Sequence, residues 1–145
     1  MKSLQVRVYG LWVNAKGEVL ISDERHRDMN FTKFPGGGLE PDEGVADALV
    51  REFKEECDVT IKQFELLHVS EKLVISTFDG SQVVGIYYRV YCDDELCHPI
   101  KTKVFDFDHG SNQSFRWVPA DRLSPADLTF EMDQLAWERV RVQFL

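Results

Sequence analysis

Three glutamates, Glu52, Glu55 and Glu56, stand at i, i+3 and i+4 in a stretch whose apolar residues recur at helical spacing. On a helix turning about 100° per residue, Val45, Ala48, Leu49, Phe53 and Cys57 share one broad apolar side. Glu52 and Glu55 fall at its edge, and Glu56 falls between Val45 and Leu49, inside the apolar arc. An acidic run is ordinarily a solvated face, but these carboxylates converge and point partly inward. Like charges in a low dielectric repel and desolvation raises their pKa values, so a counter-charge is required. Arg51 alone does not neutralise three carboxylates, whereas divalent cations do. Hard oxygen donors without a nearby Cys or His favour Mg²⁺ or Mn²⁺ over Zn²⁺.

Just upstream, Gly36, Gly37 and Gly38 follow Phe34-Pro35. Without Cβ atoms such a run brings backbone amides and carbonyls close to a metal or a phosphate. A plain tight turn is the simpler reading of the glycines alone. Beside a carboxylate helix, they point to diphosphate or triphosphate chemistry, in which metals neutralise the substrate and activate water.

Charge elsewhere agrees. The chain of 145 residues carries 17 Lys+Arg against 25 Asp+Glu, a net −8. The stretch 40–58 holds eight acids and two bases, a surplus of six, so the acidity belongs to one place. An acidic chain argues against binding nucleic acid duplexes through phosphate neutralisation. With 43% hydrophobic residues and no low-complexity tract, the composition excludes a disordered chain and a coiled coil. No apolar stretch approaches the roughly 18 residues of a membrane span, and the amino-terminal segment has no secretory h-region. Three sparse cysteines, Cys57, Cys92 and Cys97, fit a reducing cytoplasm. The expectation is one cytoplasmic domain spanning 1–145, with no membrane partner and a homodimer allowed.

The elements that must position the site follow from periodicity. Strands are expected over 4–13 and 18–22, with Leu4, Val6 and Val8 on one face and Gln5, Arg7 and Tyr9 on the other. Residues 23–33 read as a polar loop. A helix is expected over 44–57, then strands over 64–78 and 82–91 joined at Asp79-Gly80. Residues 93–113 read as a long loop with a short strand at 103–107, followed by a strand at 114–118 and an amphipathic helix at 130–144. The class is mixed α/β (α+β).

At these residues the sequence resembles the Nudix hydrolases, whose signature is G-x5-E-x7-R-E-U-x-E-E-x-G-U, with U a bulky apolar residue. Gly37, Glu43 and the run Arg51-Glu52-Phe53-Lys54-Glu55-Glu56-Cys57-Asp58-Val59 match every fixed position but one. The last glycine is Asp58, at the helix end, where a left-handed conformation is needed. Gly44 also follows Glu43 where the family carries a capping Ser or Thr. The preceding Phe-Pro-Gly-Gly, the later Phe115-Arg116-Trp117-Val118-Pro119 and the closing helix resemble the family as well.

The resemblance implies an α/β/α sandwich with a mixed central sheet. It implies Mg²⁺- or Mn²⁺-dependent hydrolysis of a nucleoside di- or triphosphate, or of a nucleoside diphosphate linked to another moiety. Glu52, Glu55 and Glu56 would be metal ligands with the Gly36 carbonyl. Arg51 would orient the glutamates and Glu43 would support them. Arg25, Arg27, Lys33, Gly37 and Gly38 are candidates for meeting the substrate. Tags for particular substrates are absent from 74–77. The rival reading is a non-catalytic Nudix-fold module that senses a nucleotide or sugar ligand. A zinc site at Cys92, Cys97, His98 and His109 is disfavoured by its spacing.

Overall fold

In the computed structural model, which describes residues 3–145, the strands form two sheets with a helix against each face. Met1 and Lys2, part of the segment read for a signal, lie outside the described residues. The first sheet contains β1 (Leu4–Trp12), β4 (Gly36–Gly38), β5 (Gln63–Val69), β6 (Val74–Ile75) and β7 (Gln82–Tyr91). Its order is β4-β1-β7-β5, with β6 also on β7; β1 and β7 run parallel and the other pairs antiparallel. The second sheet has the order β3-β2-β8, from β2 (Glu18–His26), β3 (Met29–Lys33) and β8 (Gln113–Pro119). This is the expected mixed class; the second sheet was not foreseen.

Helix α1 (Val45–Cys57) buries Ala48, Leu49, Phe53 and Cys57 against Val8, Trp12, Tyr88 and Val90 of the first sheet and Leu20 and Phe115 of the second. Phe53 packs so closely on β1 that a Cβ on Gly10 would lie 2.4 Å from its ring. Helix α2 (Glu131–Val140), followed by a 3₁₀ turn over Arg141–Phe144, buries Met132, Ala136, Trp137 and Val140 on the other side. Tyr9, Leu11, Val19, Ile21, Phe34 and Tyr87 meet it there.

Four expectations are corrected. Residues 23–33 are not a loop: β2 and β3 form a hairpin in which His26 pairs with Met29 across Arg27-Asp28. Both turn residues have positive φ, 50° and 61°, the conformation a two-residue hairpin demands, without the Asn or Gly that normally announces it. The buried face of this hairpin is polar, because Asp23 is neutralised by Arg116 (2.6 Å) and accepts from Thr32 Oγ1 (2.7 Å). Residues 64–78 do not make one strand. The ladder bulges between Leu66 and His68 and then leaves at Ser70, whose amide donates to the Gly85 carbonyl and whose hydroxyl accepts from the Gly85 amide. Pairing resumes at β6 across the expected turn, where Gly80 takes φ +74°. No strand forms at 103–107, and the closing helix is shorter than expected.

The ends of α1 follow the altered signature. Gly44 has no side chain with which to cap, and Asp47 instead reaches back to accept from its amide at 2.9 Å. Asp58 sits at φ 54°, ψ 40°, the left-handed region, with only an exposed contact to Lys54 at 3.1 Å in compensation. Asp58→Gly is therefore expected to stabilise the fold by about 0.5–1 kcal/mol. Thermal unfolding checks this, and an unchanged or lower midpoint would show that the Lys54 contact outweighs the backbone strain.

Candidate functional site

The turns of α1 that follow the first carry the signature side chains to the edge strand β4. Gly37 pairs with Val8 on the face toward α1, and a Cβ there would lie 2.5 Å from Glu52 Oε1. Gly36 at φ +145° has no room for a Cβ at all, since one would fall 2.1 Å from the Val8 carbonyl oxygen. Its amide donates to Glu56 Oε2 at 3.0 Å. The glycines thus let a backbone edge and two carboxylates, Glu52 and Glu56, come into direct contact.

Arg51 holds this arrangement. Its guanidinium donates to both oxygens of Glu43 (3.0 and 2.7 Å), to the Gly38 carbonyl (3.0 Å), to Glu52 Oε1 (3.1 Å) and to Glu55 Oε2 (3.2 Å). The bidentate bond holds the Glu43 carboxyl below its ordinary range. Glu55 is turned outward, its side chain 59% exposed against 12% for Glu52. Burial is the main cause that raises Glu52, and it pushes Glu56 up to about 7, with Glu24 and Glu52 adding repulsion and Lys33 opposing. Glu52 thus shares Arg51 with Glu43 and Glu55, and Glu56 has no ion pair among the described residues. Among the described residues no three His, Cys, Asp or Glu side chains stand close enough to enclose one ion. The donors present are nonetheless all hard oxygens, two carboxylates and a backbone edge. They fit a Mg²⁺-like ion that completes its shell with water and substrate phosphate.

On the other face of β4, Gly36 and Gly38 pair with Tyr9 and Arg7, whose side chains line a cavity of about 330 Å³. Phe31, Phe78 and Phe130 form its aromatic wall, with ring centroids 5.3–6.1 Å apart. Asp133 lies buried at the cavity, accepts from the Tyr87 hydroxyl, and is pushed by burial up to about 6.

The proposed substrate residues separate in the structure. Lys33 lines the cavity, but its ammonium is taken up by Glu24 (3.0 Å) and the carbonyls of Phe34 (3.2 Å) and Gly36 (3.1 Å). Arg27 stands at the cavity, exposed, and donates to the Phe78 carbonyl. Arg25 does not line it and instead bonds Asp28 and Asn30. Gly37 faces the carboxylates and Gly38 faces Arg7. Cys92, Cys97, His98 and His109 form no metal-binding group among the described residues. Arg7, Tyr9, Asp133 and the three phenylalanines were missed, since they come from separate elements that no local motif joins.

Comparison with known proteins accords with this geometry. A family model described as the Nudix domain matches residues 3–137. The chain belongs to the Nudix hydrolase family. Its fold is similar to the MutT Nudix hydrolase from Burkholderia pseudomallei, at 21% identity over 96% of this chain and 99% of that one, with a TM-score of 0.72. It is similar also to the Escherichia coli ORF135 protein (19% identity, 97% and 91% covered, TM-score 0.72). A third likeness is to a Nudix hydrolase from Nitrosomonas europaea (16%, 97% and 90%, 0.70). No helix among the described residues is long and apolar enough to cross a membrane.

Burial gives Asp133 a pH signature. Its folded pKa lies above the unfolded one, so the protonated form favours folding, and that stability is lost as pH rises from about 4 through about 6. Relative to Asp133→Asn, the wild type is expected to lose roughly 2–3 kcal/mol over that interval. Denaturant titrations of both proteins at pH 4 and 7.5 measure this, and a difference independent of pH would refute it.

Proposed function

We propose that the protein hydrolyses a phosphoanhydride of a small nucleotide-type substrate, a nucleoside di- or triphosphate or a nucleoside diphosphate linked to another moiety, with Mg²⁺ or Mn²⁺. The observation that carries this reading is the contact of Glu52 and Glu56 with the glycine edge, clasped by Arg51 and backed by a cavity across the same strand. Glu52 and Glu56 would hold the metal, together with the Gly36 carbonyl, one lone pair of which remains beside the Lys33 contact. Glu55 would join after releasing Arg51. When bound, the ion supplies charge for the phosphate oxygens and lowers the pKa of water.

The chain's own groups do the rest. The edge strand presents the diphosphate to the carboxylates, and the cavity takes the remainder of the substrate. Water attacks phosphorus, the bond to the bridging oxygen breaks, and that oxygen leaves with the departing phosphate. The proton of the attacking water passes to a carboxylate of the site. Arg51 is a positioning residue, and Glu43 fixes it in turn. The acidic surface around α1 fits a small-molecule partner better than a nucleic acid duplex. Sparse cysteines support a cytoplasmic setting. A homodimer is compatible with this reading, which does not require one.

Glu56→Gln keeps the size of the side chain and removes the charge. It is expected to lower turnover of a nucleotide panel by about 10²–10⁴-fold with the thermal midpoint retained. EDTA is expected to abolish wild-type turnover and Mg²⁺ or Mn²⁺ to restore it. Unimpaired Glu56→Gln turnover would remove Glu56 from the site. Ligand binding without turnover in Mg²⁺ would favour a sensing module instead.

A further inference from the structure

Arg7 is a half-buried cation that forms no ion pair among the described residues. It projects from β1 into the cavity, between Gly38 of β4 and Gly85 of β7, neither of which has a side chain to cover it. Its Nε donates to the Tyr9 hydroxyl at 2.7 Å, and its guanidinium carbon lies 5.7 Å from the centre of the Tyr9 ring. Among the described residues Nη1 and Nη2 have no protein acceptor, and no carboxylate lies within 4.0 Å to form an ion pair. Of the other cavity charges, Lys33 is tied to Glu24, Asp79 accepts from Gln5 and Ser81, and Asp133 accepts from Tyr87, while Arg27, exposed at the cavity, donates to the Phe78 carbonyl.

A guanidinium oriented by one hydroxyl, with its two terminal nitrogens free, presents a planar fork suited to two oxygens of an anion. The aromatic wall of Phe31, Phe78 and Phe130 sits in the same cavity and favours a flat group beside that anion. We infer that Arg7 is an anion-binding residue of this cavity and takes a phosphate or carboxylate oxygen of a flat, aromatic-bearing part of the substrate. The inference rests on the proposed function for its place in a reaction, but anion binding at Arg7 requires neither a metal nor turnover.

The test is a titration of the metal-free protein with phenyl phosphate, benzoate and benzyl alcohol, followed by ¹⁵N-resolved NMR that includes the Arg7 Nε–H. Phenyl phosphate or benzoate is expected to shift Arg7 Nε–H and the Gly38 amide, and the tighter of the two identifies the anion. Benzyl alcohol is expected to bind at least tenfold more weakly. Arg7→Gln is expected to weaken the anions at least tenfold and to leave benzyl alcohol unchanged, while Arg7→Lys recovers part of the loss. An unaltered spectrum away from the cavity shows that the variants are folded. Anion binding that is equal in Arg7→Gln, shifts confined to other surfaces, or no binding of either anion would overturn the inference. Anion binding at Arg7 in a protein that hydrolyses no nucleotide would discard the hydrolase reading and leave this one standing.

Discussion

The Arg51 guanidinium is the interaction on which the site depends. It spans eight residues of chain to hold Glu43 with both oxygens, crosses to the β4 backbone at Gly38, and touches Glu52 and Glu55 on its own helix. A helix bearing inward carboxylates would otherwise be pushed from the sheet by their mutual repulsion and by the cost of taking them out of water. One planar fork with five donors meets this need where a lysine ammonium does not. It neutralises only part of the charge. Glu56 is left with a single backbone amide and a carboxyl that burial raises to about 7, the charge of Lys33 only partly opposing the rise.

The same edge strand divides the work of the molecule. Successive glycines of β4 face opposite ways: Gly37 toward Glu52, Gly36 and Gly38 toward Tyr9 and Arg7. A substrate lying across that edge would place its diphosphate on the carboxylate side and its remaining group in the aromatic cavity. Lys33 joins the two sides, bonding the Gly36 carbonyl from the cavity wall while its charge reaches Glu56. Its burial would lower its pKa, but Glu24, Glu56 and Tyr9 outweigh that cost and keep it charged.

What was legible in the sequence was what local periodicity determines. The spacing of Glu52 and Glu56 against Val45, Leu49 and Phe53 placed these two carboxylates toward the sheet, because the turn per residue is local and constant, but Glu55, expected to converge with them, turns outward. The strands β1, β7 and β8 were legible from two-residue alternation, which is equally local. The β2–β3 hairpin was not. Its inner face carries Asp23 and Thr32, which read as solvent-facing until Arg116, some ninety residues on, is seen to neutralise Asp23. Its turn uses Arg27 and Asp28 at positive φ, and Arg27 is a residue that no turn preference announces there. The outward turn of Glu55 depends on where Arg51 points, and the cavity combines β1, β3, β6 and α2, contacts that exist only once the sheets have assembled.

The central claim, that the carboxylates beside the glycine edge hold a divalent cation, is tested most directly by paramagnetic broadening. Substoichiometric Mn²⁺ added to ¹⁵N-labelled protein is expected to erase first the amide signals of Gly36, Gly37, Gly38, Glu52 and Glu56, with full recovery on adding EDTA. Persistence of those signals while others vanish first, such as those of the exposed Asp93, Asp94 and Glu95, would contradict the account.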